Sequence, residues 1–175
     1  METPFTPEEA LAYIRLHAGE DAIISVQTDG LQSAWELETS KVLQVCGLLH
    51  QTPGLWFDML ACLSAIDDRD MQRYGVVVHL TSLVYEQQLV LKYYQAATGT
   101  PQDSENKYAL PEFPSLSGVW PAAIWHEREA YDLMGLWFTG HPDMRRILLP
   151  EDWEGYPLRK DYTAAETYHQ IKIKY

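Results

Sequence analysis

Hydrophobic and polar positions near the start of the chain follow a helical period and then begin to alternate. Thr6 and Glu9 form a capping box with a proline between them, which predicts a helix that begins there and ends at Gly19. Two short alternating runs, 22–27 and 34–38, flank an Asp-Gly pair. This pattern predicts two half-buried strands joined by a turn.

The middle of the chain predicts a second helix and a strand-rich segment. The helix is expected over 41–50, capped by Thr39 or Ser40. A long apolar run follows that fits either a helix or a central strand by periodicity. A strand is favoured because a polar turn joins this run to a segment rich in β-branched residues. The strands expected to form an antiparallel meander are 56–66, 74–83 and 89–94.

The last third of the chain is more irregular. A polar loop is expected over 95–112, then a short helix capped by Ser115 that ends near Trp120. An aromatic-rich helix follows and is expected to end at Gly135. A short strand is predicted over 147–149.

These elements predict one α+β domain over 1–149, with a mostly antiparallel sheet and helices packed on one face. An extended, irregular C-terminal arm is expected over 150–175. The hydrophobic fraction of 46% and the aromatic fraction of 12% are typical of a folded globular protein.

Charge is distributed unevenly along the chain. Residues 1–140 contain 7 Lys and Arg against 19 Asp and Glu, which gives the whole net charge of -12, whereas 141–175 contain 6 of each. This acidity argues against nucleic acid and against direct binding to an anionic membrane. The chain has no apolar run of membrane-spanning length and no signal-like start, so a soluble protein, or one peripheral to a membrane on the cytoplasmic side, is expected.

Sequence motifs for metal or cofactor binding are weak. Cys46 and Cys62 are isolated thiols, too few for an iron–sulfur cluster or a structural zinc site, and are interpreted as buried and reduced. His126 begins like a zinc-protease motif, but alanine stands where the second histidine belongs. The acidic residues of 67–70 are interpreted as a solvated turn rather than a cation site.

The helix around 124–134 combines bulky residues with charges, some of which must be buried and therefore paired. We expect catalysis here only as a minor alternative, a stand-alone hydrolase that uses His126, Glu127 and Asp132. The main prediction is an internal ion-pair cluster that includes an Arg128–Asp132 pair and fixes the root of the arm. Its expected members are Glu127, Arg128, Glu129, Asp132, Arg145 and Arg146.

The arm is too aromatic to be left in water, yet 150–162 contains prolines, glycines and charges that oppose regular structure. It could fold back over its own sheet, but a partner protein is favoured because aromatics and arginine are typical of interfaces. The predicted interface residues are Trp153, Tyr156, Leu158, Arg159, Lys160 and Tyr162.

The stretch 120–162 resembles the C subunit of type I NADH:quinone oxidoreductase (complex I), in its separate rather than fused form. The resemblance rests on EREAYDLMG, then GHPDMRR, then EDWEGYPLRKDY, with a weaker match over LWFDMLACLSAIDD. It implies an α+β scaffold protein with no catalytic, cofactor-binding or metal-binding residue of its own.

The resemblance also implies a place in the peripheral arm of that complex. The chain would dock mainly to the D subunit, with the B and I subunits nearby, on the cytoplasmic side of the inner membrane. The parent complex passes electrons from NADH through FMN and iron–sulfur clusters to quinone. The alternative from this resemblance is the equivalent subunit of a membrane-bound hydrogenase or of a ferredoxin- or F420H2-linked oxidoreductase.

Overall fold

Alternating burial along the two central strands divides the main sheet into a covered and an open face. The computed structural model describes residues 3–97 and 110–172. Strands β1 to β5 form one sheet in the order β1-β2-β5-β4-β3. Every neighbouring pair is antiparallel except β2 and β5. The strands are β1 (Ile23–Gln27), β2 (Ala34–Leu37), β3 (Met59–Asp68), β4 (Arg73–Ser82) and β5 (Gln87–Ala96).

The covered face carries the core. Val76, Val78 and Leu91 are fully buried there, whereas Val77 and Lys92 on the open face keep some contact with solvent. The helices α1 (Pro7–Ala18), α2 (Val42–Gln51) and α3 (Ala123–Met134) bury their apolar residues in the same cluster as this face. The predicted α+β class, the mostly antiparallel sheet and the meander of β3, β4 and β5 are therefore confirmed.

Both ends of α1 lie where the sequence places them. The Thr6 side chain accepts from the Glu9 amide at 3.2 Å, and the Glu9 carboxylate accepts from the Thr6 amide at 2.8 Å. Gly19 ends the helix with φ +106. The cap predicted for α2 is wrong: the Thr39 hydroxyl donates to the backbone oxygen of Tyr94 at 2.8 Å, and a 3₁₀ turn over Thr39–Lys41 leads into the helix.

Two elements predicted after the meander do not form. Residues 115–120 make a turn rather than a short helix, and 147–149 are bends rather than a strand. In both places a carboxylate of α3 takes up backbone amides that regular structure would otherwise have paired. Most of the expected 95–112 loop lies outside the described residues.

The sequence also missed two small sheets. Strands β6 (Glu112–Pro114) and β7 (Trp137–Thr139), which precede and follow α3 in the chain, pair with each other in parallel. Strands β8 (Thr167–Tyr168) and β9 (Ile171–Lys172) form a two-residue hairpin ladder inside the arm, which is otherwise irregular. Strands this short carry no readable alternation, which explains why their pattern was not detected.

Candidate interaction site on helix α3 and the C-terminal arm

The side chain of Asp132 is fully buried and organises the backbone that follows α3. Its Oδ2 accepts from the amides of three successive residues, 147–149, at 3.0, 2.7 and 2.9 Å. Its Oδ1 accepts from Nη1 of Arg146 at 2.7 Å. Burial by itself would raise the pKa of this carboxyl, but the three amides and the guanidinium outweigh burial and hold the pKa below its usual value. Asp132 is therefore ionised, and both of its carboxylate oxygens accept hydrogen bonds; we call it the Asp132 hub.

Arg146 joins α3 to the arm. Besides its pairing with the Asp132 carboxylate, Nη1 donates to the backbone oxygen of Asp132 at 3.0 Å. Its Nη2 donates to the carbonyl oxygens of Trp153 and Gly155 at 3.0 and 3.1 Å. The guanidinium also lies 5.4 Å from the ring of Tyr156. One planar group with several fixed donors thus determines the path of residues 153–156.

Arg159 is turned inward, with 6% of its surface exposed. Its Nε donates to the backbone oxygen of Met134 at 2.7 Å, and its Nη2 donates to that of Gly135 at 3.1 Å. The guanidinium lies 4.8 Å from the rings of both Tyr74 and Tyr156. Carbonyls at a helix C-terminus carry partial negative charge, so they stabilise a buried cation there.

Gly135 permits this close approach of arm and helix. Its φ of +66 places it in the left-handed region that ends α3. A Cβ at this position would lie 2.6 Å from the ring of Tyr156 and 2.8 Å from Nη2 of Arg159. Glycine is therefore needed both for the helix end and for the contact with the arm.

Asp67 fixes the far end of this segment and corrects the interpretation of 67–70 as a solvated turn. It is 8% exposed and lies within β3, where its Oδ2 accepts from the Lys160 amide at 2.8 Å. Arg69 lies 3.5 Å from the same carboxylate and pairs with Asp161 at 2.8 Å. The signal was present in the sequence: alternation along β3 puts Asp67 on the same face as the buried Leu63.

Only one of the ion pairs expected around α3 forms, the one between Asp132 and Arg146. Arg128 does not pair with Asp132. Instead it donates to the backbone oxygens of Arg145 and Arg146 at 3.1 and 3.0 Å. Arg145 pairs with an exposed aspartate two residues earlier at 2.9 Å. Glu129 is exposed and forms no ion pair within residues 3–97 and 110–172. The link between helix and arm therefore rests mainly on arginines that bind carbonyls.

Glu127 is fully buried but has no arginine partner within the described part of the chain. Its carboxyl accepts from the Leu116 amide and the Ser115 hydroxyl, both at 2.6 Å. Burial raises its pKa to about 7, against the opposing effect of these two donors. Of the residues named for the hydrolase alternative, Glu127 and Asp132 have no side-chain surface exposed to solvent.

Replacing Glu127 with glutamine is expected to flatten the dependence of stability on pH. The pKa of Glu127 is raised on folding, so the folded state binds the proton more tightly. Its ionisation therefore costs stability as pH rises from about 4.5 to about 7, on the order of 3 kcal/mol. Glutamine has no charge, its Oε1 can accept from the Leu116 amide, and its Nε2 can donate to the Ser115 hydroxyl once that hydroxyl rotates. Urea unfolding at about pH 5 and about pH 8 measures the difference, with Glu129→Gln as the exposed control on the same helix.

An unfolding free energy of Glu127→Gln that falls as steeply as that of the unchanged chain over this range would contradict the assignment of that titration to Glu127.

The remaining residues predicted at a partner interface differ in exposure. Leu158 is 60% exposed and Lys160 is exposed, whereas Trp153, Tyr156 and Tyr162 are half-buried. The ring of Trp153 lies 5.4 Å from that of Tyr168 in the terminal hairpin. The root of the arm is thus folded onto its own domain, and part of it still faces solvent.

The two cysteines differ in their exposure to solvent. Cys46 is fully buried in the core and Cys62 is half-buried on the sheet; both are free. Among the described residues, no group of three or more His, Cys, Asp or Glu side chains is arranged to hold a metal ion. Within that same part of the chain, none of the helices has the length and apolarity that crossing a bilayer requires.

Fold and site together define an α+β domain whose irregular C-terminal segment is tied down by buried charged side chains. Residues 35–168 match the family described as respiratory-chain NADH dehydrogenase, 30 Kd subunit. A curated relative from Chlorobium phaeobacteroides, named as the C subunit of NADH-quinone oxidoreductase, is 39% identical over 89% of this chain and 88% of its own length. A relative of the same name from Roseiflexus sp. is 39% identical over 95% and 93%.

Other relatives are longer. The one from Chloroherpeton thalassium is 40% identical, and the match covers 89% of this chain but 60% of that protein. Family and relatives agree, and the chain belongs to the family of the respiratory-chain NADH dehydrogenase 30 kDa subunit.

Two solved structures share the fold. A chain of the membrane-bound sulfane sulfur reductase, an archaeal respiratory membrane complex, superposes with a TM-score of 0.66 at 17% identity, over 87% of this chain and 84% of that one. The trypsin-resistant fragment of Nqo5 gives a TM-score of 0.53 at 21% identity, over 77% and 98%.

Proposed function

We propose that this chain is a structural subunit in the peripheral arm of a proton-translocating NADH:quinone oxidoreductase, where it docks mainly to the D subunit and lies near the B and I subunits. It contributes binding energy and no chemistry. Other subunits hold the FMN and the iron–sulfur clusters that carry electrons from NADH to quinone. The chain lies on the cytoplasmic side of the inner membrane and touches the bilayer only through the complex.

Family membership supports the first part of this proposal. The relatives that match most of this chain are named as subunits of NADH-quinone oxidoreductase. The absence of readable catalytic and cofactor motifs in the sequence is consistent with a scaffold role, and the two buried carboxyls of α3, Glu127 and Asp132, are hydrogen-bonded within the chain.

The observation that carries the docking proposal is an exposed apolar surface beside fixed backbone. Trp125, Leu148 and Leu158, which we call the α3–arm surface, are 61%, 63% and 60% exposed. The amides of Leu148 and Leu158 are bound to Asp132 and to the oxygen of Leu133 at 2.7 and 3.0 Å. Because the backbone is already ordered, a partner that covers this surface loses little conformational entropy.

Replacing Leu158 with glutamate is expected to lower the yield of assembled complex by about tenfold, since a charge would be buried at the contact. The fold should tolerate the change, because the Leu158 side chain points to solvent. Co-purification with a tagged D subunit measures the yield, and circular dichroism with urea unfolding checks the fold.

Leu16→Glu is the matched control: Leu16 is 78% exposed and lies on α1. Equal yields of complex from Leu158→Glu and the unchanged chain would sink the docking proposal. A Leu158→Glu chain that unfolds at lower urea would indicate a role in the fold instead.

A second candidate is the equivalent subunit of a membrane-bound hydrogenase or of a ferredoxin- or F420H2-linked oxidoreductase. This candidate is consistent with the fold similarity to a chain of an archaeal respiratory membrane complex. Identification of the co-purifying proteins separates the two: a flavin protein that oxidises NADH supports the first, and a nickel-ligating large subunit supports the second.

A further inference from the structure

Four large apolar side chains are exposed together at the end of the main sheet that lies away from the arm. They are Trp56, Met59, Leu83 and Val84, with exposed fractions of 48%, 44%, 62% and 47%. We call them the sheet-end patch. Scattered single apolar residues are ordinary on a protein surface, but a contiguous group is a feature of interaction sites.

Strand pairing brings together the two segments that carry these four side chains. The start of β3 lies against the end of β4, with Met59 opposite Thr81. The Asp58 carboxylate accepts from the amide of Leu83 at 2.9 Å, so the segment before β3 lies against the β4–β5 turn. The segment that carries Trp56 and Met59 therefore lies beside the turn that carries Leu83 and Val84.

The backbone holds Trp56 in an uncommon conformation. Its φ of +37 is unfavourable for a residue with a bulky side chain. Hydrogen bonds fix the neighbouring backbone. The Trp56 amide donates to the backbone oxygen of Thr52 at 3.0 Å, and the Phe57 amide donates to that of Leu49 at 2.9 Å. The backbone oxygen of Phe57 accepts from the Trp120 indole at 2.9 Å. Surrounding structure thus imposes a strained residue that presents an aromatic ring to solvent, an arrangement concentrated at functional sites.

The sheet-end patch is separate from the part of the α3–arm surface that carries Leu158, which lies beside the C-terminal end of α3. Asp67, which binds the arm through Lys160, lies at the opposite end of β3 from Met59. Eight residues of strand place these points about 26 Å apart at roughly 3.3 Å per residue. A partner that covers Leu158 therefore does not automatically cover the patch.

The charges around the patch restrict its occupant. The segments 51–66 and 80–91 contain the acidic residues Asp58 and Glu86 and no Lys or Arg. A second copy of this chain would bring like charges together, and an anionic membrane would be repelled. A protein with basic residues around an apolar protrusion fits both features.

We propose that the sheet-end patch is a second docking surface, which binds a neighbouring protein of the assembly through an apolar protrusion bordered by Lys or Arg. The inference rests on the proposed role as a subunit of an assembly, and it adds a second contact to that role. With protein bound at both ends of β3, the chain bridges two neighbours rather than binding only one.

Thiol labelling of the assembled complex tests this inference. In a Cys62→Ser background, Leu83→Cys and, separately, Leu158→Cys are labelled with a maleimide in the isolated chain and in the purified complex. Burial of the patch predicts labelling of Leu83→Cys slowed by about tenfold or more in the complex. An equal rate in both states, with Leu158→Cys protected, would overturn the second surface and leave the docking proposal standing. If both cysteines were labelled as fast in the complex as in the isolated chain, the second docking surface and the docking proposal itself would both be overturned.

Charge reversal tests the chemistry of the occupant. Glu86→Lys should lower complex yield several-fold at low salt and reduce its salt dependence, since a basic border would now be repelled. Glu20→Lys is the matched control: Glu20 is an exposed acid in the 3₁₀ turn that follows α1, where it lies 3.9 Å from Arg15. Concentration-dependent dimers of the isolated chain in sedimentation, or binding to phosphatidylglycerol vesicles, would overturn the proposed occupant.

Discussion

Replacing Asp132 with alanine is expected to destabilise the chain by about 3–5 kcal/mol, the largest effect that we expect from a single side chain. The change removes the acceptor for three backbone amides, 147–149, and for the guanidinium of Arg146. The Arg146 side chain is 14% exposed, so its guanidinium would stay largely buried without the carboxylate that neutralises it, and the three amides would lose their acceptor.

Asp132→Asn refines the same prediction. Asparagine has the right shape, but its amide group would place donors against donors, so part of the loss should remain. Because the pKa of Asp132 is lowered on folding, its stabilisation is fully present above the ordinary value of 3.8 and is lost as pH falls through the lower folded value. The difference between Asn and Asp should therefore be constant at neutral pH and shrink in strong acid.

Urea unfolding followed by tryptophan fluorescence at about pH 7 and about pH 3 measures both effects. Asp143→Asn is the control, since Asp143 pairs with Arg145 at an exposed site worth little. A loss from Asp132→Ala no larger than that of Asp143→Asn would contradict the role assigned to this hub.

Replacing Arg159 with alanine is expected to release the arm and to cost about 2–4 kcal/mol. The substitution removes both hydrogen bonds to the end of α3 and the stacking between Tyr74 and Tyr156. Arg159→Lys should recover only part of the loss, because an ammonium cannot reach both carbonyls and stack as a planar group does.

Chymotrypsin cleavage within 153–162 reports release of the arm, and urea unfolding reports the stability. Lys160→Ala is the matched control: its side chain is exposed, and only its backbone amide binds Asp67. Cleavage of Arg159→Ala at the rate of the Lys160→Ala control would mean that the arm is held by other contacts.

The sequence of the arm predicts that its side chains are covered, but not by which surface. Its aromatic and arginine content indicated that it must be covered; Arg159 is buried, and Trp153, Tyr156 and Tyr162 are half-buried. What covers them in this chain is its own helix end and sheet. Composition reveals that a group needs burial, but does not say which surface provides it.

Glu127 and Asp132 illustrate the same limit on one helix. Both carboxyls were expected to find arginine partners, and both are fully buried. Their environments push their pKa values in opposite directions, because Glu127 has two neutral donors whereas Asp132 has a guanidinium and three amides. The partners come from distant segments of the chain, which no local spacing on α3 specifies.

The sequence by itself determined the elements whose signals are local: the capped first helix, the meander of long alternating strands, the glycine end of α3, and the family. Caps, turns and strand alternation depend on neighbouring residues and can be read directly. Only the tertiary structure decided the partners of Asp132, the inward turn of Arg159 and the grouping of apolar side chains at the sheet end. These depend on contacts between residues far apart in sequence, and many pairings satisfy the same composition.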